Sequence, residues 1–137
     1  MPAKLSAYHL ALAAQLLHVA LCIVWNAVGL WQQAHGTQTI GPTASFGTIV
    51  LVVLLGAGLV AFLRKGAENA YFLLSLVGLL MSALAIFGGF TKDSSNWPSE
   101  FWRWAGITVN AVGVLGFVLV FGAFHSRKLS PKLMAHP

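Results

Sequence analysis

Between residues 5 and 125 the chain reads as four long apolar runs separated by three short polar breaks. The runs cover residues 5–31, 43–63, 70–90 and 101–125. Each is near the ~20 residues that an α-helix needs to cross a hydrocarbon core. The breaks carry turn chemistry. Residues 32–42 are polar and hold Gly36, Gly41 and Pro42; residues 64–69 form a tight basic turn with Gly66; residues 91–100 read "TKDSSNWPSE". Ser99 stands where an N-cap for the last helix is expected. Lys4 gives the first run the look of a signal peptide, but the run is too long for an h-region and no small-residue cleavage site follows Trp31. It is read as a retained helix. The expected fold is all-α: one domain over residues 1–137, built as a bundle of four transmembrane helices with both termini cytoplasmic.

Composition sharpens this picture. Charged residues make up 8% of the chain, against about 25% in soluble domains. Hydrophobic residues reach 58%, and the mean hydropathy is +0.79. A soluble fold of this size could not hide so much apolar surface. The formal net charge of +5 does not point to nucleic acid, because the basic residues sit in small groups between the runs rather than in one patch. Their distribution gives an orientation instead. Lys4, Arg64, Lys65, Arg127, Lys128 and Lys132 fall on one side, and Lys92 and Arg103 on the other. The positive-inside rule makes the first side cytoplasmic, in a plasma membrane or a bacterial inner membrane. Trp31, Trp97, Trp102 and Trp104 then form an outer aromatic belt, with Tyr8 and Tyr71 at the inner interface. Cys22, the single cysteine, excludes an intrachain disulfide.

A shift of 63 residues lays "AYHLALAAQLLHVALCI" on "AYFLLSLVGLLMSALAI", with Tyr8 on Tyr71 and Arg64-Lys65 on Arg127-Lys128. Two readings stand. Either a helical hairpin was duplicated, and the halves relate by an axis along the membrane normal, or two apolar helices resemble one another by chance.

Polar residues inside the runs are the candidate chemistry. On the first helix Gln15, His18, Cys22, Asn26 and Gly29 recur at steps of three and four, so they share one stripe. Hydrocarbon offers no hydrogen-bond partner, so this stripe should face protein. Matching surfaces are Tyr71, Ser75, Gly78, Ser82, Ala85 and Gly89 on the third helix, Gly106, Asn110, Gly113 and Phe117 on the fourth, and Gly47, Leu51, Leu54 and Gly58 on the second. Gly58, Gly78, Gly106 and Gly113 are the expected close-packing positions. By depth, His18, Cys22, Asn26, Ser82 and Asn110 could line an outer-half pocket for a small lipophilic molecule such as a quinone or lipid.

Other chemistry is thinner. His18 and Cys22, with Met81, offer an incomplete soft-metal set, and no metal site is assigned. His9 and His125 lie at similar depths, so a haem between them is the remaining cofactor reading. No span contains Asp or Glu, and HExxH, phosphate-loop and nucleophile–His–acid patterns are missing. Asp93 and Glu100 read as solvated loop partners of Lys92 and Arg103. The sequence therefore leans away from an enzyme. Three functions remain: a structural or accessory subunit of a homo-oligomer or larger membrane complex, a binder or transporter of a lipophilic ligand around His18, and a haem- or metal-binding redox subunit.

Overall fold

The computed structural model describes the chain from residue 3 to residue 133, and its side chains from residue 7 to residue 126. Four helices, α1 (Ala3–Ala34), α2 (Phe46–Arg64), α3 (Glu68–Thr91) and α4 (Glu100–Leu133), are joined by loops, the last containing a 3-10 turn at Ser94–Asn96. Among the described residues there is no strand. Segments Ala7–Ala34, Phe46–Arg64, Glu68–Thr91 and Glu100–Ser126 are each long and apolar enough to cross a membrane. The protein is an all-helical bundle with the length and composition of a multi-pass membrane protein.

Local chemistry sets the helix ends. The Ser45 side chain accepts from the Thr48 amide and starts α2. Gly66, at φ 66°, stops it: Gly66 N–H donates to Leu63 O and Ala67 N–H to Phe62 O. That pair of bonds is a Schellman closure, which needs a left-handed residue. Gly36, at φ 65°, closes α1 the same way, with Thr37 N–H bonded to Gln32 O. Before α4, Ser99 accepts from the Trp102 and Arg103 amides through its backbone carbonyl.

The helices alternate in direction around a square. α1 and α3 each pack beside α2 and α4, which leaves α1 and α3 on a diagonal. The start of α1, the 64–68 turn and the later part of α4 share one end, called here the short-turn end; the two longer loops close the other. Near the short-turn end lies the apolar core of Tyr8, Ala11, Leu55, Leu59, Tyr71 and Val120. Tyr8 and Tyr71, partners in the 63-residue shift, meet edge to face there with ring centroids 6.0 Å apart.

One expected face is corrected. α2 turns Val52, Leu55, Gly56 and Leu59 inward, whereas Leu51 and Leu54 are 50% and 65% exposed. α2 carries almost no polar residue to mark its inner side. In a helix apolar all round, periodicity does not fix the rotation. Close approaches occur where glycine permits them: a Cβ at Gly58 would meet Leu74, and one at Gly113 would fall on Ser82 and His18.

Candidate functional site

The polar stripe of α1 runs down the bundle interior and is bonded along its length. Lowest is Gln15, 6% exposed. Its Oε1 accepts from the Tyr71 hydroxyl at 2.6 Å, and its Nε2 donates to Ser75 Oγ at 2.9 Å. Ser75 in turn donates to the Tyr71 carbonyl at 2.8 Å. Both partners belong to α3, so this network crosses the diagonal. An amide placed in hydrocarbon must find such partners, and the small serine lets α3 come close enough to supply them.

One turn further along α1 stands His18, equally buried. Its Nε2 lies 3.2 Å from Cys22 Sγ and 3.5 Å from Ser82 Oγ. Asn110 of α4 is a further polar neighbour, and Gly113 leaves the space that the ring fills. Three helices thus meet at one imidazole. Ser82 is fully buried, while Asn110 is half-buried and donates to the Gly106 carbonyl.

Asn26 does different work. Its Nδ2 donates to Cys22 O at 2.8 Å, and its Oδ1 accepts from Ser45 N–H at 3.1 Å. It ties the N-cap of α2 to the side of α1. The loop between them folds over the bundle end. Gly41 lies against the Trp25 indole, Ala44 packs on Gly29, and Gln32 Oε1 accepts from Ile40 N–H. Gln38 donates to Ser95 O and joins the two long loops.

Beneath these loops is a cavity of about 320 Å³. Cys22, Trp25 and Asn26 of α1, Thr48 of α2, Gly88 and Gly89 of α3, Lys92 and Trp97 of the loop after it, and Gly106, Val109 and Asn110 of α4 contribute to its wall. This volume falls within the ~300–1,000 Å³ of small-molecule sites. The Trp97 indole N–H is buried with no hydrogen-bond partner among the described residues. A buried donor without a partner is costly, and this one is closed off by the protein packed around it.

Of the five residues expected to line a pocket, the structure puts Cys22, Asn26 and Asn110 on this wall. His18 and Ser82 lie one layer deeper, bonded to one another below it. Of the four expected packing glycines, Gly106 faces Trp25 and Trp97, Gly113 faces His18 and Ser82, Gly58 faces Leu74 and Gly78 faces Leu55; each contact is within the chain. Trp25, Thr48, Lys92 and Trp97 were not anticipated as cavity residues. Trp25 is in register with the α1 stripe, one residue before Asn26, and that signal was available. His9 and His125 are both exposed, and His125 stacks on Phe121 of its own helix; neither lines this cavity. No cluster of three or more His, Cys, Asp or Glu occurs among the described residues.

The loop acids separate in role. Glu100 pairs with Arg103 at 3.0 Å. Asp93 instead accepts from the Ser95 amide at 2.8 Å and caps the 3-10 turn. That backbone bond, followed by the Ser95 side chain, holds its carboxyl below the usual range. No family model, curated protein or solved structure matches this chain.

Proposed function

We propose that this protein binds a small, mostly apolar molecule bearing a hydrogen-bond acceptor in the cavity at its tryptophan-rich end. The cavity itself, closed over by the two long loops and lined by apolar and polar side chains together, carries the reading. Trp25 and Val109 offer apolar surface, Thr48 and Asn110 offer polar atoms, and Lys92 offers a cation. A quinone or a short lipid carbonyl has this chemistry. His18 and Ser82 support the floor from below rather than touching the guest. The reading is for binding, with no reacting group assigned. The basic asymmetry of the loops favours an outward-facing cavity with both termini cytoplasmic, and we propose a plasma or bacterial inner membrane as its setting.

The test is a titration of the purified protein in lipid nanodiscs with a short-chain quinone, followed by tryptophan quenching. Saturable quenching that weakens on the order of tenfold in Asn110→Leu, a loss of one hydrogen bond to a buried partner, supports the site. Linear, non-saturating quenching in the unaltered protein sinks it. Orientation is tested separately with cysteines at Ser95 and Ser130 on a Cys22→Ser background, using an impermeant maleimide on intact cells. Labelling at 130 and not at 95 would reverse the topology.

A second reading is a subunit of a homo-oligomer or larger membrane complex. It is favoured by Gly122, whose missing side chain opens onto space rather than a neighbour. Small residues on an outer face suit contact with a second chain. Native mass spectrometry of the gently solubilised particle reports stoichiometry and bound small molecules together.

A further inference from the structure

On the opposite half of the molecule, an open groove of about 660 Å³ runs between α1 and α2. Val19 and Ile23 line one bank. Val53, Gly56, Ala57, Val60 and Ala61 of α2 line the other, with the small residues between the two valines. A Cβ at Gly56 would meet Val19 at 3.3 Å, so the groove floor is the α1–α2 contact itself. This strip ends at Arg64 and Lys65, which also border the groove. Both are exposed, and among the described residues no acidic side chain pairs with either.

We propose that this groove seats one acyl chain of an anionic phospholipid, with the headgroup phosphate between Arg64 and Lys65. The geometry is continuous. From Val53 to Ala61 the wall rises about 12 Å at ~1.5 Å per residue, and it delivers the chain to the cations at the helix end. The cations also sit where Gly66 closes the C-terminus of α2, at the end of its apolar span. A zwitterionic lipid fills the same groove but gains less from two cations, since basic residues near the surface attract anionic headgroups. Small side chains on α2 set how deeply the chain sits; the cations set which headgroup is retained.

The experiment reconstitutes the full chain in nanodiscs holding equal amounts of phosphatidylglycerol and phosphatidylcholine with identical chains. Lipids retained after release are then counted by native mass spectrometry. The expected result is a preference for phosphatidylglycerol on the order of tenfold, consistent with two basic contacts. Arg64→Gln with Lys65→Gln should bring the preference close to unity while phosphatidylcholine retention stays. Ala57→Phe, at an exposed position that leaves the bundle intact, should fill the groove and lower retention of both lipids. Arg103→Gln, at the far end and outside the cavity, should change neither. Equal retention in the unaltered protein, or a preference that survives the double substitution, overturns the proposal. A preference lost with the charges but unaffected by Ala57→Phe also overturns it, because binding would then be to the surface and not to the groove. Circular dichroism of each variant verifies that the helices are kept.

Discussion

The Tyr71 hydroxyl donates to Gln15 Oε1 across 2.6 Å, linking two helices that stand on a diagonal of the bundle and are 56 residues apart in the chain. This bond and the Gln15–Ser75 bond make the two diagonal helices mutually dependent. Tyr71→Phe should leave Gln15 Oε1 without its donor and cost about 1–2 kcal/mol, the range for interhelical bonds in lipid. Gln15→Leu should cost a similar amount, because it strands the Tyr71 hydroxyl. The pair together should cost less than the two singles combined, since each single leaves an orphan that the other removes. Unfolding in mixed micelles measures the cycle. Simple additivity would mean that the bond contributes nothing.

His18 is held by hydrogen-bond contacts that an amide can imitate. His18→Gln should retain near-normal stability. His18→Leu should lose about 1–2 kcal/mol by leaving Ser82 and Cys22 short of a partner. Because His18 lies below the cavity rather than on its wall, His18→Gln should also keep quinone quenching saturable. A glutamine variant that folds normally yet binds nothing would move His18 into the site.

Gly113 and Gly78 look alike in sequence and differ in space. A Cβ at Gly113 would collide with Ser82 Oγ and the His18 ring, whereas one at Gly78 meets only the flexible end of Leu55 at 3.4 Å. Gly113→Ala should destabilise by about 1–3 kcal/mol through overpacking. Gly78→Ala should be near neutral, and so should Gly122→Ala, which meets nothing. Thermal unfolding of the three variants checks the order, and equal behaviour of Gly113→Ala and Gly122→Ala would refute it.

Ser45 and Asn26 form a clasp at the start of α2. Ser45→Ala removes the cap and should cost about 0.5–2 kcal/mol locally. Asn26→Ala leaves the cap but unhooks it from α1. Hydrogen exchange at the Thr48 amide should accelerate strongly in the first variant. In the second, exchange should rise at the Ser45 amide while Thr48 keeps its protection.

Asp93 supplies a pH dependence confined to one loop. Its folded-state pKa is depressed because the Ser95 amide bonds the ionised carboxylate. The loop is therefore favoured above the ordinary carboxylate pKa of about 3.9, and that support is lost as pH falls through the lower, folded value. The Ser95 amide resonance should titrate with that lowered midpoint, and Asp93→Asn should abolish the titration while leaving the helices unchanged.

The number of helices, their approximate limits and the inward stripe of α1 were legible because polar residues in an apolar run announce which side faces protein. Gln15, His18 and Asn26 gave that signal, and all three are buried. Their partners were less legible. Tyr71, Ser75 and Ser82 share a face on α3, but one-dimensional periodicity does not say which side chain reaches which across a diagonal. The orientation of α2 was not legible at all, since its inner and outer faces are equally apolar and lipid places no penalty on either. The wall of the cavity was legible only in part: Cys22, Asn26 and Asn110 were expected on it, while Trp25, Thr48, Lys92 and Trp97 were not. Lys92 and Trp97 reach it only because the loop that follows α3 folds back over the bundle, and that path depends on Asp93 and Gln38 bonds that no spacing rule reveals.

The diagonal bonds also bear on how the chain is made. Gln15 and His18 leave the ribosome well before α3 exists, and their partners Ser75 and Ser82 follow 60 and 64 residues later. During that interval α1 is a greasy segment in which Gln15 has none of its α3 partners and His18 has only Cys22 of its own helix, and α2 supplies neither with a bond. The first hairpin is thus an incomplete object that has to wait beside water or an insertion factor for the second. A chain ending at Arg64 should be cleared by membrane proteases far faster than the full one. Co-expressing residues 65–137 as a separate fragment should rescue it, and Gln15→Leu with His18→Leu should make the short chain outlast its unmodified counterpart.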